Sequence, residues 1–211
     1  MNMDILEAFL DALYPKNIKC LLCDAELKRG ERDICSQCEG QLEGANDRDI
    51  GGLSGFTAGL AYTGVIRAAV HRLKYGGETY LAEFLAGFIE VGEDWHIDVI
   101  VPVPLHKRKR RLRGYNQSEF LAEELSRRLN VPVDDGLLIR VRNTRTQTRF
   151  KKARRMHNLE GAFRASPRCA GIRVLLVDDV CTTGSTLGEC ASALRAAGAK
   201  AVYAAAACSV E

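Results

Sequence analysis

Arg173-Val174-Leu175-Leu176-Val177-Asp178-Asp179-Val180-Cys181-Thr182-Thr183-Gly184-Ser185-Thr186 is the stretch that decides how this chain reads. Its apolar run, Val174 to Val177, is what a strand buried on both faces of a parallel sheet requires. Two adjacent carboxylates follow, and then a small hydroxyl-rich turn. After the turn, Leu187, Cys190, Ala191 and Leu194 recur at helical spacing. A loop that opens a helix presents unpaired backbone N–H groups at the positive end of the helix dipole, and so attracts a phosphate. Gly184 allows close backbone approach, and in the turn that starts at Thr182 the hydroxyls of Thr183, Ser185 and Thr186 can donate. Asp178 and Asp179 fall at the carboxyl end of the strand, where open α/β sheets bind ligands, and they suit two neighbouring hydroxyls. No lysine follows Gly184, so the stretch is not a P-loop. An ordinary strand–turn–helix with a polar turn is the plain alternative.

The same residues resemble the 5-phosphoribosyl-1-pyrophosphate (PRPP) motif of type I phosphoribosyltransferases. The resemblance implies that Asp178 and Asp179 are catalytic and contact the ribose hydroxyls, that residues 182–186 wrap the 5-phosphate, and that Mg²⁺ accompanies PRPP.

Composition narrows the setting. The chain has 211 residues, 46% of them hydrophobic, enough for one core and a small appendage. No apolar run approaches ~18 residues, so no membrane insertion is expected. Met1 to Leu13 reads as an amphipathic helix, with Asp4, Glu7 and Asp11 among Ile5, Leu6, Phe9 and Leu10, and not as a signal peptide. A cytoplasmic location follows as the expectation, which makes the eight cysteines thiols or metal ligands in preference to disulfides. Net charge is +3, but residues 106–155 hold sixteen Lys or Arg against five Asp or Glu, which points to a polyanionic ligand: pyrophosphate, nucleic acid, or both.

Cys20-x2-Cys23 and Cys35-x2-Cys38 can deliver four thiolates to one tetrahedral Zn²⁺. With every position taken by thiolate, the ion would be structural; a redox pair, a disulfide framework or a lost site are the competing readings. Residues 39–55, with five glycines, look like a linker. Phe56 to Tyr62 fits a strand, and Gly64–Leu73 and Thr79–Glu90 fit helices. Lys74-Tyr75-Gly76-Gly77 between them is either a substrate-contacting loop or an exposed turn. Asp98 to Pro104 reads as a strand that ends near Val101, because a central strand tolerates proline poorly. Asn116 or Ser118 suits the cap of a helix with Leu121, Leu125 and Leu129 on one face. Leu137 to Val141 reads as the next strand. Residues 142–158 carry seven basic and no acidic residues, which fits a lid over pyrophosphate or an arm for nucleic acid. Val202 to Ala207 closes the order as a last strand, giving an α/β fold with a mostly parallel sheet flanked by helices.

As a whole the chain resembles the ComF family of phosphoribosyltransferase-like proteins, associated with natural competence. The marks are the four cysteines, Leu73-Lys74-Tyr75-Gly76, Val103-Pro104-Leu105-His106, Arg113-Gly114-Tyr115-Asn116-Gln117, and Thr146-Gln147 leading through Arg154 and Asn158 to Gly161-Ala162-Phe163. The resemblance implies a type I phosphoribosyltransferase fold with a zinc module, dividing the chain at 1–45 and 56–211, with a hood over the acceptor supplied by 56–90 or by the zinc module. It implies a pyrophosphate loop at Pro104, Leu105, His106 and Lys107, and a lid bearing Arg145, Gln147, Arg149 and Arg154. It further implies single-stranded DNA and a ComF-type helicase as partners. It supplies no acceptor, so a PRPP-binding protein of DNA uptake and an active transferase both stand.

Overall fold

The strand of the opening stretch is longer than its apolar run. In the computed structural model, which describes residues 18–46, 48–142 and 161–210, β5 spans Arg173–Cys181 and carries the acidic pair within it. It pairs in parallel on both sides, with β6 (Ala201–Ser209) and with β2 (Val99–Pro102), and β1 (Gly55–Ala61) completes a sheet of order β1-β6-β5-β2. Because strand residues alternate between faces, the two sides of the sheet receive different residues. Leu175, Val177, Ala205 and Ala207 share a core with α2 (Gly64–His71), α3 (Leu81–Ala86) and α5 (Gln117–Leu129). Val174, Leu176, Val202, Ala204 and Ala206 share the other with α6 (Ser185–Ala196), through Leu187, Cys190, Ala191 and Leu194. Short α1 (Ser36–Glu39) reaches the first core through Cys38, and short α4 (Lys107–Arg113) buries no residue.

One boundary holds to within a residue and three expectations are corrected. β2 ends at Pro102, next to Val101, and keeps the proline because it lies at the edge of the four-stranded sheet. Val103 N–H donates inward to Val177 O (2.8 Å), while Ile100 N–H donates outward to Pro132 O (2.9 Å), so by alternation the missing N–H of Pro102 falls on the outer side. The strand at 137–141 forms as β3 (Leu138–Arg140), but it pairs antiparallel with β4 (Phe163–Ala165) and not with the main sheet. The break at Lys74 is no free turn: Arg72–Gly76 is a turn of π-helix that extends α2. The segment expected as a linker is packed. Ala45 N–H donates to Gly59 O (3.2 Å) and Ala61 N–H to Glu43 O (2.8 Å), covering backbone groups that edge strand β1 would otherwise expose. Ile50 in the same segment is buried.

The cysteine module joins the first of these cores, since Cys20, Leu22, Cys35 and Cys38 cluster with Ile66 and Leu73. Among the described residues, no helix is long and apolar enough to cross a membrane. The segment Met1 to Leu13, expected as a helix, and the residues Arg145, Gln147, Arg149 and Arg154, expected in a lid, lie outside the described residues.

Candidate functional site

Asp178 and Asp179 stand at the carboxyl end of central strand β5, and three other elements bring partners to them. Asn116 caps α5 as expected, its side-chain oxygen accepting from Ser118 N–H (3.3 Å). That cap sets the first turn of α5 against the acidic pair. Ser118 Oγ donates to Asp178 Oδ1 (3.1 Å), and Gln117 Nε2 donates to Asp179 Oδ1 (3.2 Å). The positive end of the α5 dipole adds to both bonds. From the opposite direction, the π turn delivers Lys74, whose ammonium pairs with Asp179 Oδ2.

The two family marks flanking these residues meet at this place. Tyr115 OH donates to Leu73 O (2.5 Å), the Arg113 guanidinium lies 4.8 Å from the Tyr75 ring centroid, and Arg113 also donates to Gln117 Oε1. Leu73-Lys74-Tyr75-Gly76 and Arg113-Gly114-Tyr115-Asn116-Gln117 are therefore two sides of one construction around the carboxylates.

Its electrostatics are those of charges held close in a shielded place. Burial and the neighbouring Asp179 push the Asp178 carboxyl up from 3.8 to about 7, against the opposing pull of Lys74. Burial pulls the Lys74 ammonium down, but Asp179 and Asp178 outweigh it, and the net shift is upward. Burial lowers Lys109, and so do Arg140, Arg113 and Lys74, a group of cations drawn together beside the acidic pair. Burial lowers Arg140 as well, with Cys190 and Asp178 opposing. Cations that repel one another in this way gain from an anion between them.

The raised Asp178 carboxyl has a consequence for stability. Between about 4 and about 7 the folded chain keeps a proton that the unfolded chain has lost, so this group stabilises the fold below that window and the contribution is lost as pH rises through it. Asp178→Asn is expected to flatten that part of the profile, read as denaturation midpoints from about pH 4 to about pH 8.

The turn at 182–186 opens α6 as expected. Gly184 holds φ +76°, a left-handed conformation that favours glycine, and a Cβ there would crowd three carbons of Ile50 at 3.0 Å. Thr183 Oγ1 and Ser185 Oγ are 2.8 Å apart, and Ser185 N–H donates to Thr183 Oγ1 (3.4 Å). Beneath them Arg48 acts as a clasp, donating to Thr182 O (2.7 Å), Cys181 O (2.9 Å) and Val210 O (3.2 Å). Those bonds tie the end of β5, the start of the turn and Val210 to Arg48, 133 to 162 residues away in sequence.

Of the other predicted residues, Pro104 to Lys107 follow β2, beside the carboxyl end of β5. His106 caps α4, its Nδ1 accepting from Arg108 N–H (3.2 Å). A cavity of about 1190 Å³ runs along β1 between Thr57, Phe88, Trp95 and Arg128, and none of the predicted site residues lines it.

The sulfur atoms of Cys20, Cys23, Cys35 and Cys38 all lie within 4.8 Å of one another, and those of Cys23 and Cys35 are 3.7 Å apart. Four thiolates at ~2.3 Å from a tetrahedral ion would be about 3.8 Å apart, so the cluster could hold a metal ion after a contraction of at most about 1 Å.

Sequence reasoning missed Gln117, Ser118, Lys109, Arg140 and Arg48 as site residues. Gln117 and Ser118 were legible as a capped helix start. Arg48 had no local signal, because its partners Cys181 and Val210 are distant in sequence.

The family described as Phosphoribosyl transferase domain matches residues 116–211. "DNA utilization protein YhgH" of Escherichia coli K12 is 36% identical over 150 residues, covering 67% of this chain and 66% of that protein. "Competence protein F" of Haemophilus influenzae is 41% identical over 104 residues, covering 48% of this chain and 45% of its own. "Competence protein ComFC" of Bacillus subtilis is 29% identical over 203 residues, covering 88% of this chain and 81% of its own. On this shared sequence, and with the phosphoribosyltransferase domain within it, the chain belongs to the ComF family of phosphoribosyltransferase-like proteins.

Proposed function

We propose that the chain binds PRPP with Mg²⁺ at the carboxyl end of β5 and uses that site in natural competence, in the handling of imported single-stranded DNA. The observation that carries this reading is the acidic pair held by Ser118, Gln117 and Lys74. Asp178 and Asp179 receive the ribose hydroxyls, residues 182–186 take the 5-phosphate, and Lys109, Arg113 and Arg140 join Pro104 to Lys107 on the pyrophosphate side. Mg²⁺, when bound, neutralises the pyrophosphate. Cys20, Cys23, Cys35 and Cys38 hold a structural Zn²⁺. A cytoplasmic location and a ComF-type helicase partner complete the proposal.

Calorimetry tests the ligand. Mg²⁺-dependent PRPP binding to the wild type is expected to vanish in Asp178→Asn/Asp179→Asn; heat unchanged by the double substitution would sink the assignment. The DNA role predicts single-strand affinity that falls with salt and drops on charge reversal at Arg108, Arg110, Arg149 and Arg154. The intact acidic pair also favours a second reading, an active transferase passing phosphoribose to an acceptor. Its sign would be Mg²⁺-dependent pyrophosphate release with some member of a metabolite and nucleic-acid panel.

A further inference from the structure

Three successive residues of the π turn reach three different parts of the molecule. Leu73 is buried in the core, and Lys74 pairs with Asp179. Arg72 reaches the cysteine module: its Nη1 donates to Leu21 O (2.9 Å) and Leu22 O (3.1 Å), and its Nη2 lies 3.7 Å from Asp24 Oδ1. On its other side Arg72 Nε donates to Glu78 Oε1 and Oε2, both at 2.9 Å, just past the end of the turn. Leu21 and Leu22 are the two residues between Cys20 and Cys23. Backbone bonds from Cys20 N–H to Ala25 O (2.8 Å) and from Leu21 N–H to Asp33 O (2.7 Å) set the direction of these carbonyls, and an ion held by both flanking sulfurs would restrict it further. Arg72 reads that direction with a rigid planar fork. A displacement of the knuckle carbonyls thus moves the start of the same short turn that carries the lysine.

We propose that the four-cysteine module is a positioning element of the phosphoribosyl site, and that Arg72 transmits the metal-held geometry of the first knuckle to Lys74 and through it to Asp179. The module then does more than prop up its own fold: losing the ion releases Lys74 from the acidic pair. The inference rests on the reading of the Asp178–Asp179 site as one for PRPP. Arg72 is a positioning residue and touches no ligand.

Hydrogen exchange of the full chain, read by mass spectrometry, tests the coupling without any ligand. Stripping the metal with a chelator is expected to raise exchange over residues 18–46 and 72–77 and to leave β5 and β6 protected. Arg72→Lys keeps the charge but cannot span both carbonyls and Glu78. With its metal content unchanged, it is expected to raise exchange over 72–77 alone and to weaken Mg²⁺–PRPP binding by roughly 5- to 150-fold, the usual span of coupling between two sites. Exchange at 72–77 unchanged by chelation overturns the proposal. So does a uniform rise across the whole sheet, or a rise on chelation that Arg72→Lys does not reproduce. Chelation needs no variant, so unchanged exchange at 72–77 overturns the proposal even if Arg72→Lys fails to fold, and Glu78→Gln, which loosens Arg72 from its other side, then stands in for it. A wild type that never binds PRPP sinks the ligand assignment, and exchange at 72–77 still decides the coupling.

Discussion

Asp179→Asn and Lys74→Met are each expected to cost about 3 kcal/mol of folding stability, and the two together far less than the sum. The Asp179 side chain is 5% exposed and that of Lys74 is 21% exposed, so each substitution strands a charge in a place that water barely reaches. Partial exposure of Lys74 puts the cost at the low end of the usual range for breaking a buried pair, ~3–5 kcal/mol. The two losses differ in kind. Lys74→Met leaves Asp178 and Asp179 as neighbouring carboxyls without their counter-ion, and the pair answers by holding a proton. Asp179→Asn leaves an ammonium with Asp178 nearby, while Asn Oδ1 can still accept from Gln117 Nε2. The double variant removes both charges, and it should recover to within about 1 kcal/mol of the wild type. Denaturant midpoints of the four proteins measure the cycle. Strict additivity would show that the ion pair contributes nothing, and the site would lose the internal cation argued for it. PRPP affinity separates stability from function. Lys74→Met/Asp179→Asn is expected to be folded and unable to bind, since the ribose hydroxyls have lost one of their two carboxylates.

What the sequence disclosed, and what it concealed, follows from how far apart the interacting residues lie. Strand β5, the turn at 182–186 and the face of α6 are local patterns, and each forms where the pattern puts it. The cap at Asn116 is local too, and it located the helix start that holds Asp178 and Asp179. Lys74 was recognisable only as a cation beside two glycines, because nothing in Leu73-Lys74-Tyr75-Gly76 says that its partner is Asp179. Residues 39–55 misled for a related reason. Glycine content describes what a backbone is free to do, whereas Ala45, Arg48 and Ile50 are held by β1, the 181–182 carbonyls and the second core. Strand β3 had the right residues and an unexpected partner, since strand propensity does not name the neighbour to which a strand will pair.

Zinc binding to the four cysteines is expected to release protons and to tighten steeply as pH rises, and removal of the ion is expected to unfold residues 18–46. In this segment only Cys20, Leu22, Cys35 and Cys38 are buried, so three of its four interior side chains are ligands. Such a module has little apolar core beyond what it shares with Ile66 and Leu73, and metal binding of about 10–16 kcal/mol at neutral pH, the usual apparent value for small structural zinc sites, is large beside that. Without the ion, four sulfurs within 4.8 Å cannot all be thiolates, because like charges at that distance repel and the thiol form is the ordinary one at neutral pH. The metal must therefore displace protons as it binds, and each proton released steepens the gain in affinity by about tenfold per pH unit. Calorimetry in buffers of different ionisation enthalpy counts the protons, and metal analysis counts the ion. Cys38→Ser, which removes a buried ligand, is expected to bring the zinc content from one per chain to none. A variant that keeps its zinc, or an affinity flat in pH, would place the ion somewhere other than these four sulfurs.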